Sequence, residues 1–409
     1  MTTHVTEQEQ IASCAPGVSR RKGSTERPLA IFVLIDALGW CYLEGKDFLQ
    51  DTLPYRRSLR TVLGFSSGAI PTILTGTSPT EHGHWNLFYY DPKGSPFKWV
   101  RYLHFLPDSI LDSRVSRKLI KETGRRFLGL GPLFECCVTP RLLHYFNWVE
   151  RRNIYGNKGI TGAPSIFDRL TERGVSHRVY TYHDATDAEI LKQAERDITH
   201  SDASFFFVYL SEMDMFLHMN CNSPEKIGER LRWYDEGLRK LLSAAQAVDP
   251  EVSFTVTSDH GMTPVREHYD LLKDITDLNL KMPEDYLAVY DSTMARFWFF
   301  NDRARQRVMG LLNGLSCGHV LSDAELQAFG VLFADRRFGE TIFLLRPGTL
   351  FSRSDFNGKG WSPSGMHGYH PGQDRYSDAI FLSNRVPNRE VETIRDVYDC
   401  MWQAAQEVE

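Results

Sequence analysis

An α/β fold, with a doubly wound and mostly parallel sheet flanked by helices, is predicted by three features of the 409-residue sequence. Apolar runs without period-two alternation recur at residues 28–36, 204–210 and 252–257, as strands buried on both faces require. Helical stretches fall between these runs, so that strand and helix alternate along the chain. Aspartates stand at or just past the ends of the runs, at Asp36, Asp214 and Asp259. Ligands of such sheets gather at the carboxyl ends of the strands.

The elements follow in order. Residues 28–36 form the first buried strand. At 66–75, Ser-Ser-Gly precedes Ala69-Ile70-Pro71-Thr72-Ile73-Leu74, a helix start with proline in its first turn. Residues 165–174 are a helix with Ser165 as N-cap and Gly174 as its stop. A strand at 177–182, a polar-faced helix at 184–198, a strand at 204–210, a long helix at 227–248 and a strand at 252–257 complete the alternation. Two stretches interrupt it, at about 88–160 and 263–360, and are expected to be insertions capping the active edge of one catalytic domain at 28–409. The first is aromatic and basic: residues 93–158 hold 13 Lys/Arg against 5 Asp/Glu, in a chain of net charge −5.

Hydrophobic content of 42% and charged content of 24% are ordinary for a globular protein. The net charge gives no reason to expect nucleic acid as a partner. Seven cysteines lack framework spacing, Cys136 and Cys137 are adjacent, and no Cys-x-x-Cys occurs, which argues against a zinc-thiolate site and for reduced thiols. Residues 1–27 are polar and include Ser19-Arg20-Arg21-Lys22, so a disordered arm without a secretory signal is expected. No window reaches the roughly 18 apolar residues of a membrane span. A cytoplasmic protein is the expectation.

The side chains that carry chemistry are Asp36, Asp214, His218, Asp259, His260 and His367, with Ser66 as a hydroxyl at a helix start. Three aspartates, three histidines and a serine suit two divalent cations with mixed nitrogen and oxygen ligands, zinc first and manganese second. Asp36, Asp259 and His260 are expected around one cation, and Asp214, His218 and His367 around the other. A helix N-terminus favours an alkoxide or a bound phosphate at Ser66. A cation lowers the pKa of that hydroxyl, and a pair of cations stabilises the entering and leaving oxygens of an in-line displacement. Taken singly, each piece has an ordinary explanation: an aspartate at a strand end is usually a turn residue, and a serine before a helix is usually a cap.

Taken in order, the pieces resemble the alkaline phosphatase superfamily and, within it, the type I phosphodiesterase/nucleotide pyrophosphatase family. The resemblance rests on Ile35-Asp36-Ala37-Leu38-Gly39-Trp40, on Ser66 with Leu74-Thr75-Gly76-Thr77-Ser78-Pro79-Thr80-Glu81-His82-Gly83, and on Glu212-Met213-Asp214 with His218. Ser258-Asp259-His260-Gly261-Met262 and His367-Gly368-Tyr369 complete it. It implies an alkaline-phosphatase-like core over about 28–385 and selects Ser66 over Ser67 as nucleophile. It places Asn86 on a non-bridging phosphate oxygen, with the backbone N–H of Ser67 as its partner. The chain departs from the family in having Ser rather than Thr as nucleophile. Ser67 stands where an aromatic residue helps to stack a nucleobase, which puts nucleotide preference in doubt. Gly68 and Ile70 do not fit the sulfatase maturation motif. No arginine clamp or third metal site is evident, which favours diesters over monoesters.

The resulting expectation is a two-metal enzyme that hydrolyses a phosphodiester or pyrophosphate bond through a phosphoseryl intermediate. Its alternatives are a transferase passing the phosphoryl group to an alcohol and a phosphomonoesterase of the same superfamily. The partner is a small phosphate ester whose organic half is open, lipid-like and sugar-linked forms included. Three readings of the basic aromatic insert stand together: a solvated cap, a membrane contact, or a lid whose Trp99, Tyr102, Phe105, Tyr145 and Trp148 pack on the substrate.

Overall fold

The computed structural model describes residues 27–130, 134, 136–183, 185–356 and 362–409. The expected arm before residue 27 and the expected helix start at Asp184 lie outside the described residues.

A six-stranded sheet organises the chain. Across it lie Tyr55–Leu59, Ala379–Ser383, Ser253–Thr257, Ala30–Ile35, Phe205–Leu210 and His177–Tyr180. The last four are mutually parallel, whereas Ala379–Ser383 runs antiparallel to both its neighbours. Ala30–Ile35 and Phe205–Leu210 are buried at every position, which explains their unbroken apolar sequence. Ile31, Val33 and Ile35 pack on one face with Ile227, Leu231 and Leu238 of the helix Pro224–Val248. Ala30, Phe32 and Leu34 pack on the other with Ile70 and Ile73 of the helix Ser66–Thr75 and Val397 and Met401 of the helix Val397–Glu407. Each buried Leu or Ile side chain contributes about 1.5–3 kcal/mol to holding the layers together.

Helix boundaries follow local chemistry. Ser165 caps Ile166–Arg173 in a capping box with Asp168, and Gly174 ends it in the left-handed region at φ 71°. The next helix runs Asp187–His200, not from 184, because Thr186 and Glu189 form its capping box. The strand before it is shorter than expected, at His177–Tyr180. The long helix starts at Pro224, earlier than the apolar periodicity indicates, because proline is tolerated in a first turn.

The region 263–360 forms its own four-stranded antiparallel sheet, ordered Tyr286–Tyr290, Met294–Phe299, Thr341–Leu345 and Gly318–Val320. The region 88–160 pairs Phe88–Tyr90 with Phe146–Trp148 and carries the helix Arg114–Phe127. A buried arginine of the region 263–360, ion-paired within that region, reaches across to the region 88–160. Arg296 meets Asp291 at 2.6 Å and donates to the carbonyl of Phe88 at 2.8 Å. A buried guanidinium is tolerable only when its donors are met in this way. Among the described residues no helix is long and apolar enough to cross a membrane.

Candidate active site

Asp36 directly follows the strand Ala30–Ile35 and Asp259 lies just past Ser253–Thr257, its neighbour in the sheet. The two loops approach closely. A Cβ on Gly261 would lie 2.0 Å from the Tyr376 carbonyl oxygen and 2.9 Å from the Cα of Gly39, so only glycine follows His260. Ala37 turns the chain away from the site in the left-handed region, at φ 59°, and its N–H donates to Asp259 Oδ1 at 3.1 Å. A non-glycine residue in that region costs energy, and here the surrounding loop holds it in place.

Asp214 and His218 do not sit at a strand end as expected. They lie on the helix Glu212–Asn220, one turn apart, so both side chains project from one face. His218 Nε2 is 3.3 Å from Asp214 Oδ1, and His367 Nε2 is 3.5 Å from the same oxygen. His367 follows the two-residue strand Gly365–Met366, which pairs with Thr263–Pro264 just beyond the Asp259-His260-Gly261 turn.

Ser66 begins the helix Ser66–Thr75. Phe65 is its N-cap and offers no side-chain acceptor, so the first N–H groups stay uncapped by any side chain. Ser66 Oγ lies 2.9 Å from His260 Nε2, and that nitrogen is 3.2 Å from Asp259 Oδ2 and 3.7 Å from Asp36 Oδ1. Ser67 is turned to another task, its hydroxyl donating to the Trp85 carbonyl at 2.6 Å.

The donors suit cations. Asp36 Oδ1, Asp214 Oδ1 and Asp259 Oδ2 are buried and have no hydrogen-bond partner, an arrangement costly for anions unless a positive charge sits among them. Burial, then the charges of Asp259 and Asp214, push the Asp36 carboxyl well above the usual carboxylate range. Burial also raises Asp214, but His218, His367 and His260 outweigh it, and this carboxyl ends below its ordinary value. Burial and the neighbouring His260 hold His367 well below an ordinary imidazole. Backbone carbonyls orient two rings: His218 Nδ1 meets Gly365 O at 2.8 Å and His260 Nδ1 meets Gly261 O at 3.0 Å, leaving each Nε2 toward the carboxylates.

The ligand atoms form two overlapping groups, each within 4.8 Å: Asp214 with His218 and His367, and Asp36 with Asp214 and His260. The first is the expected trio. The second differs from expectation, because Asp214 closes it and Asp259 stands beside it. Asp259 Oδ1 is engaged by the N–H groups of Ala37 and His260, which turns that edge of the carboxylate toward the loop.

A cavity of about 190 Å³ opens beside these groups, lined by Ser67, Asn86, His218 and His367 on the polar side and by Phe65, Leu87, Phe356 and Met366 on the apolar side. Asn86 is buried. Its Nδ2 meets only the Met294 thioether, at 3.5 Å, and its Oδ1 has no partner. The five rings expected of a lid lie elsewhere. Trp148 is in the core of the cap, Trp99 and Tyr145 pack against that core, and Tyr102 and Phe105 face solvent. Phe65 and Phe356 supply the aromatic walls instead. Tyr209, also unforeseen, donates its hydroxyl to Asp36 Oδ2. Its signal was a phenol in an otherwise apolar strand, paired in register with Leu34 two residues before Asp36.

The fold and this cluster define a metal-dependent hydrolase of phosphoric esters with an alkaline-phosphatase-like architecture. The chain belongs to the type I phosphodiesterase/nucleotide pyrophosphatase family, whose model matches residues 65–370. Solved structures share its fold. Human ectonucleotide pyrophosphatase/phosphodiesterase 5 superposes with a TM-score of 0.66 at 14% identity, over 92% of this chain and 95% of that one. An inactive form of the murine protein in complex with AMP gives 0.64 at 16%, over 93% and 95%. Phosphonoacetate hydrolase from Sinorhizobium meliloti, in complex with phosphonoacetate, gives 0.61 at 14%, over 93% and 96%. No curated protein matches the sequence.

Proposed function

We propose that the protein is a phosphodiesterase that works through a phosphoseryl intermediate. The observation that carries this reading is the 2.9 Å approach of Ser66 Oγ to His260 Nε2, at the start of an uncapped helix and amid three unpartnered carboxylate oxygens. Asp36, Asp259 and His260 would hold one divalent cation and Asp214, His218 and His367 a second, with Asp214 near both. Zinc suits this nitrogen and oxygen set best and manganese is second. Bound there, the ions would supply charge to lower the serine pKa and to offset the negative charge gathering on the phosphoryl oxygens.

The chain's own groups do the rest. Ser66 Oγ gives up its proton to solvent and attacks phosphorus, the bond to the leaving oxygen breaks, and the departing alkoxide takes up a proton from water to leave as the alcohol. The N–H of Ser67 and the amide of Asn86 hold a non-bridging oxygen; Nδ2 carries two hydrogens and the thioether is a weak acceptor. Water then cleaves the bond between phosphorus and Oγ, restoring the serine. Phe65, Leu87, Phe356 and Met366 receive the organic half of the ester. A diester carries one negative charge fewer than a monoester dianion, and Asn86, a neutral donor, suits it.

The test compares bis-p-nitrophenyl phosphate with p-nitrophenyl phosphate on one preparation. A higher kcat/KM for the diester supports the reading, and a clear monoester preference moves the protein to the phosphatase branch. Product analysis with and without added alcohols separates hydrolysis from transfer. A cytoplasmic setting is part of the proposal and is supported by the cysteine pattern. Fractionation of cells that express the protein tests it.

A further inference from the structure

The lobe between Lys98 and Phe127 is built as though its outside had a second, oily neighbour. Of eleven exposed large hydrophobic side chains among the described residues, six fall within it: Tyr102, Phe105, Ile110, Val115, Leu119 and Phe127. They are well out in solvent, Val115 and Phe105 at 78% of full exposure. The lobe does not lack a core that these residues failed to join. The helix Arg114–Phe127 buries Ile120 and Gly124 inward against Leu130 and Phe134. Val115 and Leu119, one turn apart, lie on the opposite side of that helix.

The lobe is also fastened in place. Arg141 donates to Asp108 at 2.6 Å and to the carbonyls of His104 and Leu106, and Arg117 reaches Asp112 at 2.6 Å and the Cys137 carbonyl at 2.8 Å. The exposed apolar side chains therefore stand on a scaffold that buries its other face.

Charge identifies the neighbour. Residues 98–127 carry eight Lys/Arg and three Asp/Glu, a net of +5 on a chain whose total is −5. All three acids are already engaged by arginines: Asp108 by Arg141, Asp112 by Arg117, and Glu122 by Arg125 and Arg126 at 3.9 and 3.5 Å. Arg114 and Lys118 flank Val115 and Leu119 with no acidic partner among the described residues. Apolar side chains that enter the acyl boundary, interleaved with cations that meet anionic head groups, are the features of an interfacial membrane contact. A second copy of the chain fits worse, since a two-fold contact would set the same +5 lobe against itself.

We propose that the lobe 98–127 is a docking face for the surface of an anionic lipid bilayer. Asn86 and Leu87 of the cavity wall lead directly into the strand Phe88–Tyr90 of the same cap, so docking would hold the site close to the bilayer.

The experiment is flotation of the full chain with vesicles of phosphatidylcholine, alone or mixed with phosphatidylserine. Two double variants accompany the wild type, Val115→Ser with Leu119→Ser and Arg114→Glu with Lys118→Glu. The wild type is expected to float with the phosphatidylserine vesicles, less so as salt rises, and each variant to partition about 10-fold more weakly or worse. Turnover of a soluble diester should be unchanged in both, since none of the four residues lines the cavity. Failure of the wild type to float, equal flotation with pure phosphatidylcholine, or full flotation of either variant overturns the proposal. So does light scattering that shows a wild-type dimer which these substitutions dissociate.

Discussion

Tyr209 donates its phenolic hydrogen to Oδ2 of Asp36, while Oδ1 of the same carboxylate is left without a partner. Packing holds the donor still, because the Tyr209 ring stacks on Tyr155 at 5.6 Å and meets Tyr182 edge-on at 5.4 Å. The carboxylate is thereby fixed with one oxygen spent and one presented to the cluster. Tyr209→Phe should keep the fold and lower divalent-ion affinity by roughly 10–100-fold, the usual cost of losing a partner that orients a ligand. Calorimetric titration of zinc into metal-free protein reads this directly, and an unchanged affinity would show that the phenol serves packing alone.

Ser66→Ala should cut diester turnover by orders of magnitude and abolish covalent phosphoryl capture. Ser67→Ala should be milder, since it removes only a hydroxyl bonded to the Trp85 carbonyl and leaves the backbone N–H in place. Quenching a labelled reaction and mapping the label decides between the two. Label on Ser67 would place the nucleophile one residue later.

His367→Ala is expected to lower the metal content from about two divalent ions per chain toward one and to remove most turnover, because an open vertex weakens a site built from three protein ligands. Elemental analysis of protein purified without chelator measures the stoichiometry. Equal metal content in variant and wild type would take His367 out of the ligand set.

Asn86→Ala should reduce diester kcat/KM by about 10²-fold, the scale of losing one hydrogen-bond donor to a transition-state oxygen. KM and kcat measured separately show whether the loss falls on turnover. A change below about twofold would return Asn86 to an ordinary role in the wall of the cavity.

Gly261→Ala tests the close approach of two loops. Its new methyl would lie 2.0 Å from the Tyr376 carbonyl oxygen, which is backbone and cannot swing aside. Forcing the loops apart should destabilise the protein by about 1–3 kcal/mol, measured as a lower urea midpoint. It should also weaken the metal centre, since Asp259 and His260 would shift with the loop.

The central strands were legible because burial on both faces demands unbroken apolar sequence, and only residues such as Ala30 to Ile35 meet that demand. Asp36 and Asp259 were legible for a related reason, as charges at the ends of runs that tolerate none. The edge strand Tyr55–Leu59 gave no such signal: Arg56 and Arg57 face partly to solvent, and alternation over five residues is weak. Asp214 and His218 were legible as candidate ligands but their place was not: the strand ends at Leu210, as its apolar run does, and the pair falls on the helix Glu212–Asn220, which the four-residue spacing suits. The cavity walls were the least legible part. Phe65 and Phe356 stand 291 positions apart in the sequence and meet only through tertiary structure. Nothing in the local sequence around Trp99 or Tyr145 shows that these rings turn inward to the cap.

The candidate ligand atoms come from four stretches of chain, the first at Asp36 and the last at His367. No fragment that stops short of His367 holds the complete set, so an incompletely synthesised or clipped chain would lack part of the proposed site. An ion bound at the cluster would also act as a clasp. It recognises only the closed arrangement, so its binding free energy is added to the stability of every element that supplies a ligand. Scarcity of the metal would then be felt first as turnover of the protein itself, through unfolding and proteolysis, and not merely as an idle enzyme.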